Sequence, residues 1–154
     1  MSETLFRPAT KADHAALTEI WFRAVTATHD FLTPGQIEGY RRRLPVEFLP
    51  AVPELTVAEA EGRPVGFIGM AGDEVAMLFI DPDFHGRGIG SDLVGRAAAG
   101  RGPLKVDVNE QNPAAHRFYL SLGFEQTGRS ATDSDGDPFP MLHLERPAGG
   151  PPVR

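Results

Sequence analysis

Three stretches of this chain combine residue types and spacings that can do chemistry. The first is His85-Gly86-Arg87-Gly88-Ile89-Gly90-Ser91, where glycine alternates with larger residues. Such a loop leaves backbone N–H groups unblocked, so that several can converge on one anion, and a helix starting there adds the positive end of its dipole. The implied ligand bears phosphate. The second stretch is Asn112 to Phe124, in which Asn112 and Tyr119 stand seven apart. At about 3.6 residues per turn the two return to nearly the same helix face, so one can hold a ligand's polar arm while the other reaches its reactive end. The third is His29-Asp30-Phe31, with polar groups set between apolar neighbours in a connector. It lines a substrate cleft in one reading and is a surface turn with a local His–Asp contact in the other.

Regular elements must hold these residues in place. Val75 to Ile80 is an unbroken apolar run, short enough for a strand covered on both faces, and Asp81-Pro82 turns the chain out of it. Ile89, Leu93, Val94, Ala97 and Ala98 recur at helical spacing after the glycines, and Gly100, Gly102 and Pro103 stop that helix. Leu104, Val106 and Val108 then alternate with Lys105, Asp107 and Asn109 as a half-buried strand. Strand, helix and strand at this length imply a parallel crossover that sets the runs from Val75 and Leu104 side by side or nearly so. Asn112-Pro113 opens the next helix with an N-cap and a first-position proline, and Gly123 is placed to end it.

Upstream, a short strand from Thr4 to Pro8 precedes a helix that Thr10 and Asp13 cap and Leu17, Ile20, Trp21, Ala24 and Val25 make amphipathic. Thr33-Pro34 with Gln36 starts a second helix, which Arg41-Arg42-Arg43 ends. Pro45 to Pro53 reads as a proline-bounded connector, and Leu55 to Ala60 with Val65 to Met70 as a hairpin around Glu61-Gly62-Arg63. Phe124 to Arg129 and Phe139 to Glu145 are two closing strands. One domain over residues 1–145 follows, with Arg146 to Arg154 expected as a flexible tail.

A G-x-G-x-x-G dinucleotide fingerprint begun at Gly86 needs glycine where Ser91 stands, and no Gly-Lys-Ser/Thr run exists for a Walker loop. His85-Gly86-Arg87-Gly88-Ile89-Gly90, after Ile80-Asp81-Pro82, instead resembles the pyrophosphate loop of the GNAT family of N-acetyltransferases, which bind acetyl-coenzyme A. Asn112, Ala115, Phe118, Tyr119, Gly123 and Phe124 are similar to that family's second cofactor motif. Residues 28–32, 79–83, 108–112 and 127–130 extend the likeness to its bacterial YjaB-type branch, over most of residues 5–145. The resemblance implies an α/β GNAT fold: a mixed six- or seven-stranded sheet, helices on both faces, and a splayed pair of parallel central strands. It further implies pantetheine pairing with backbone around Leu78, Phe79 and Ile80. The pyrophosphate lies on the amides of Arg87, Gly88, Ile89, Gly90 and Ser91, beside His85 and Gly86, with Asn112 near the pantetheine arm.

The reaction implied by the family is direct attack of a neutral amine on the thioester, with Tyr119 protonating the leaving thiolate. A phenol of pKa about 10 and a thiol of about 8.5 are close enough to share a proton in the transition state. The base is open: many relatives carry a carboxylate where this chain has Ala76, which leaves Asp73, Glu74, His29, His116 and His143. His85 stands where glutamine or arginine is usual. No His-x-x-x-His pair speaks for a catalytic metal, and no Gly-x-Ser-x-Gly elbow for a serine hydrolase.

With 154 residues and 41% hydrophobic content the chain suits one globular domain. The absence of cysteine excludes disulfides and thiolate chemistry and fits a reducing cytoplasm. A net charge of -6 argues against a nucleic-acid partner, and no apolar run is long enough for a membrane span or signal peptide. The expectation is a cytoplasmic monomer or homodimer that acetylates a small-molecule or protein amine. The rivals are a non-catalytic acetyl-CoA sensor and a nucleotide-binding enzyme.

Overall fold

In the computed structural model, which describes residues 3–28 and 32–148, seven strands make one mixed sheet. They are β1 (Leu5–Pro8), β2 (Glu54–Ala60), β3 (Arg63–Ala71), β4 (Glu74–Ile80), β5 (Leu104–Asn109), β6 (Glu125–Ser130) and β7 (Met141–Arg146). Their spatial order is β1-β2-β3-β4-β5-β7-β6. Every neighbouring pair is antiparallel except β4 and β5, which run parallel and pair only at Glu74 with Lys105 and Val75 with Val106. Beyond Val75 the two strands part, which is the expected splay.

α1 (His14–Thr28) and α2 (Pro34–Arg43) cover one face of the first half of the sheet. Their stripe of Leu17, Ile20, Trp21, Val25 and Ile37 packs on Val57 and Phe67. A five-residue π turn, Leu44–Phe48, and the short α3 (Leu49–Ala51) continue from α2. Here the chain is helical where a connector was expected. Pro45 and Pro50 each fall in the first two positions of their turns, where a missing N–H leaves no bond unmade. α4 (Ile89–Ala98) and α5 (Pro113–Ser121) lie on the opposite face, and Leu93, Val94, Val106, Val108, Tyr119, Phe124 and Leu144 close a second core there. Each large apolar side chain so buried contributes about 1.5–3 kcal/mol.

In the second half of the sheet, β5 and β7 alternate buried and less buried residues. Leu104, Val106 and Val108 of β5 are buried, whereas Lys105 and Asp107 face outward. β7 alternates likewise, with Leu142, Leu144 and Arg146 buried. Arg146 therefore belongs to β7 rather than to the tail: its Nε donates to the Leu122 carbonyl at 3.0 Å and ties the strand to the end of α5. None of the helices among the described residues is long and apolar enough to cross a membrane.

Candidate active site

The gap between β4 and β5 opens into a cavity of ≈ 610 Å³. β4 supplies one wall from Val75 to Ile80, β5 the other from Val106 to Asn109, and residues of α4 and α5 add to the lining. Past Val75, β4 keeps β3 as its neighbour but has no partner toward β5, so that edge faces the cavity. Ala76 is the extra residue of a β-bulge in β4, since Gly69 pairs with Met77 and Met70 with Val75. Such a residue sits outside the ladder and re-aims the pleat of its strand.

The turn from β4 into α4 is fixed by a buried carboxylate. Asp81, 2% exposed, accepts from the Asp83 N–H at 2.9 Å and pairs with Arg23 of α1 at 3.3 Å and Arg63 of β3 at 3.8 Å. Gly88, at φ 78°, is the N-cap of α4 and offers no side chain to its first turn. A residue with a Cβ is strained at that angle. The helical ladder starts with the Asp92 N–H on the Gly88 carbonyl at 2.9 Å. The amides of Ile89, Gly90 and Ser91 precede it and have no acceptor within the helix. A Cβ built on Gly90 would meet the Phe118 ring at 3.2 Å, so α4 and α5 approach closely there.

α5 begins differently. Asn112 Oδ1 accepts from the Ala115 N–H at 3.2 Å, and Pro113 takes the first position. Two turns on, Tyr119 is 6% exposed, edge-on to Phe118 and Phe124 with ring centroids 5.1 and 5.2 Å away. It also lines the cavity, and no hydrogen bond to its hydroxyl is found among the described residues. Burial raises the Tyr119 phenol well above its ordinary value, so it keeps its proton at any physiological pH.

Leu78, Phe79, Ile80, His85, Gly86, Gly88, Ile89, Gly90, Ser91, Asn112 and Tyr119 all line this cavity. Arg87 does not: its guanidinium lies over the Phe84 ring, 4.6 Å from the centroid, and 3.9 Å from Glu61. His85 turns its Nε2 to the Ile80 carbonyl at 3.2 Å, closing the loop on the end of β4. His29, Asp30 and Phe31 lie outside the described residues.

Of the open candidates for a base, Asp73, Glu74, His116 and His143 are not on the cavity wall. His143 is engaged on both sides. Its Nδ1 is 2.6 Å from Asp107 Oδ1 and its Nε2 is 2.6 Å from Ser130 Oγ. Asp107 itself lines the cavity. Neither Asp107 nor Ser130 was singled out in the sequence. Asp107 showed only as an outward residue of an alternating strand, and cross-strand register alone sets it opposite His143.

A family model described as an acetyltransferase (GNAT) domain matches residues 53–126. The peptidyl-lysine N-acetyltransferase YjaB of Salmonella typhimurium is 43% identical over 134 residues, covering 85% of this chain and 90% of its own. The solution structure of apo-form YjaB from Escherichia coli matches with a TM-score of 0.85 at 39% identity, over 97% of this chain and 99% of that one. The PaiA N-acetyltransferase of Thermoplasma acidophilum, solved in complex with coenzyme A, shares the fold at 19% identity, with a TM-score of 0.76 over 94% of this chain and 99% of that one.

Proposed function

The chain belongs to the GNAT family of acetyltransferases, and from that premise we propose that it moves the acetyl group of acetyl-CoA to the side-chain amine of a protein lysine. The observation that carries this reading is one cavity lined both by an uncapped helix start and by a buried, protonated phenol. The residues suit the donor. The amides of Ile89, Gly90 and Ser91 offer a diphosphate unused N–H groups at the positive end of a dipole. The free edge of β4 from Met77 to Ile80 offers backbone groups to an amide-bearing arm. When bound, the donor supplies an activated acyl carbon and a thiolate leaving group.

The chain's own work is positional and protonic. The β4–β5 split holds the reacting ends together away from bulk water, which is worth several kcal/mol of barrier in oriented reactions. Tyr119 keeps a proton ready for the sulfur as the C–S bond breaks and the C–N bond forms. A lysine acceptor is favoured by the names of the relatives and by charge. Asp133, Asp135 and Asp137 gather in the loop between β6 and β7, with ligand oxygens within 4.8 Å of one another. Burial, and then the field of those three carboxylates, raises the Tyr40 phenol on α2. Arg43 on the same helix opposes that field, and the three carboxylates of the loop offer an ammonium opposite charge.

The test is release of free thiol from acetyl-CoA with a panel of lysine peptides and small amines, run beside a thermal-shift screen. Turnover with lysine peptides and a rise in melting temperature with acetyl-CoA are expected. A shift without thiol release would make the protein a sensor, and a shift with ATP or NAD instead would overturn the reading.

A further inference from the structure

A lysine amine, with a pKa of about 10.4, is protonated at neutral pH and must lose that proton before its electron pair can attack a thioester. Inside a cavity with mostly apolar walls such a cation also needs an anionic partner, because burying an unpaired charge is costly. Among the described residues, three titratable side chains line the β4–β5 cavity: His85, Asp107 and Tyr119. His85 is turned to the Ile80 carbonyl, and the Tyr119 phenol keeps its proton. Asp107 is the one carboxylate on the wall.

The last rung between the two strands joins Val75 to Val106, so Ala76 of β4 and Asp107 of β5 are the first residues past it, where the strands part. Val106 and Val108 belong to the core under α4 and α5. The alternation of β5 turns Asp107 to the other face of the sheet, the face on which α1 packs. Ala24 and Thr28 of α1 line the same cavity. The cavity therefore passes through the sheet. The uncapped start of α4 and Tyr119 border it on one face, and Asp107 and α1 on the other. A donor held on the first face leaves the second open to an acceptor. The Asp107 carboxylate is only half engaged there. His143 Nδ1 is 2.6 Å from Oδ1, and since a carboxylate offers only acceptors, that nitrogen donates. Oδ2 has no partner among the described residues.

We propose that Asp107 is the catalytic base, the residue that pairs with the acceptor's ammonium through Oδ2 and takes its proton, a proposal that rests on the acetyl transfer described above. The electron pair so freed forms the C–N bond as the C–S bond breaks. The nitrogen gives up two protons on its way from ammonium to amide, each to Oδ2 and from there to water, which reaches a side chain that is 46% exposed. Tyr119 gives one proton to the sulfur and regains one from water, so that one proton is released per turnover. The charged groups around Asp107 come from both neighbouring strands. His143 of β7 is directly across from it, with Ser130 of β6 behind at 2.6 Å from Nε2. Lys105, two positions back on β5, stands in register between Glu74 of β4 and Glu145 of β7. On the cavity side β4 contributes uncharged Ala76, and α1 uncharged Ala24 and Thr28.

The test compares the wild type with Asp107→Asn, which keeps the shape of the side chain and an oxygen for His143 but cannot take the proton. The substrates are acetyl-CoA and a peptide with one lysine and a blocked N-terminus, and release of free thiol is followed from pH 7 to pH 10. At pH 7 kcat/KM should fall by about a hundredfold, with the calorimetric affinity for acetyl-CoA kept within about twofold. The deficit should narrow toward pH 10, where the amine loses its proton unaided. An Asp107→Asn enzyme that keeps the wild-type rate, or whose deficit is the same at every pH, overturns Asp107 as the base and leaves the acetyl transfer standing. So does a loss of acetyl-CoA affinity in step with the rate, which would make Asp107 part of the donor site. A wild-type protein that releases no thiol with this peptide overturns both.

Discussion

Two helices start at the mouth of the same cavity, and they start in opposite ways. α5 is closed by its own sequence: Asn112 caps the first turn and Pro113 removes an N–H that would otherwise seek a partner. α4 is left open, because Gly88 offers no cap and Gly90 and Ser91 in its first turn are small. The closed start is a positioning device that fixes Tyr119 two turns on. The open start is a binding device, whose unused donors await an anion. The contrast shows how one cavity divides its labour: the end that must hold a charged ligand keeps its hydrogen-bonding capacity unspent, and the end that must aim a proton spends it on rigidity.

Deleting the aimed proton should do the most damage. Tyr119→Phe removes only the hydroxyl from a ring packed edge-on between Phe118 and Phe124, so the fold and the open end of the cavity stay as they are. Turnover should fall by about a hundredfold or more, within the range for a lost general acid, while acetyl-CoA affinity measured by calorimetry is unchanged. A parallel loss of affinity would show that the α5 end also binds.

Next in size is an attack on the open start. Gly90→Val puts a branched side chain where even a Cβ would touch the Phe118 ring at 3.2 Å, and it crowds the amides of the first turn of α4. Acetyl-CoA affinity should weaken by about tenfold or more, roughly 1.4 kcal/mol, with kcat at saturating donor less affected. If kcat fell while affinity held, the division between the two helix starts would be wrong.

Asn112→Ala opens the start that is closed. Loss of an N-cap costs about 1 kcal/mol. For a chain of this size that is a fall in melting temperature of about 2–4 °C. Donor affinity should change less than with Gly90→Val, and the ratio of the two effects measures how cleanly the helix starts are specialised.

Local sequence made both starts legible because each is a short-range feature. Alternating glycines before an apolar period, and Asn-Pro before another, carry their geometry within a few residues. The parallel neighbourhood of β4 and β5 also followed, from a strand, helix and strand of crossover length, whereas the splay between them came only with the family resemblance. Whatever depended on register between distant strands stayed hidden. His143 and Asp107 are 36 positions apart, and His143 and Ser130 13. Nothing along the chain indicates that they share a face until β5, β7 and β6 are paired. The Ala76 bulge is equally invisible, since an extra residue in β4 shows only against β3. The helical turns from Leu44 to Ala51 were obscured by two prolines, which disfavour helix interiors but suit first turns.

A third helix start, far from the cavity, serves as the control. The 3-10 turn Lys11–Asp13 leads into α1, and there half of the capping box foreseen from Thr10 and Asp13 is made: Asp13 Oδ2 accepts from the Thr10 N–H at 2.7 Å, while the Asp13 N–H bonds the Thr10 carbonyl at 2.9 Å instead of the Thr10 hydroxyl. Arg7 locks the same carboxylate from β1 through two bonds of 2.8 Å. The Arg7 guanidinium, and then the Thr10 amide, hold the Asp13 carboxyl well below the usual carboxylate range against the cost of its burial. A carboxyl whose folded-state pKa lies below its unfolded value of about 3.9 stabilises the protein fully above the unfolded value and loses the contribution progressively as pH falls from there to the folded-state value. Asp13→Asn should therefore lower stability at pH 7 by about 1–2 kcal/mol, as for a hydrogen bond to a charged group whose partner is partly solvated. As pH falls below about 4 the gap between variant and wild type should begin to narrow in urea titrations, closing only near the far lower folded-state value. Activity should be untouched at neutral pH, because this start is closed on both sides and borders no ligand. A loss of donor affinity in Asp13→Asn would mean that capping at a distance sets the cavity after all, and would weaken the distinction drawn between α4 and α5.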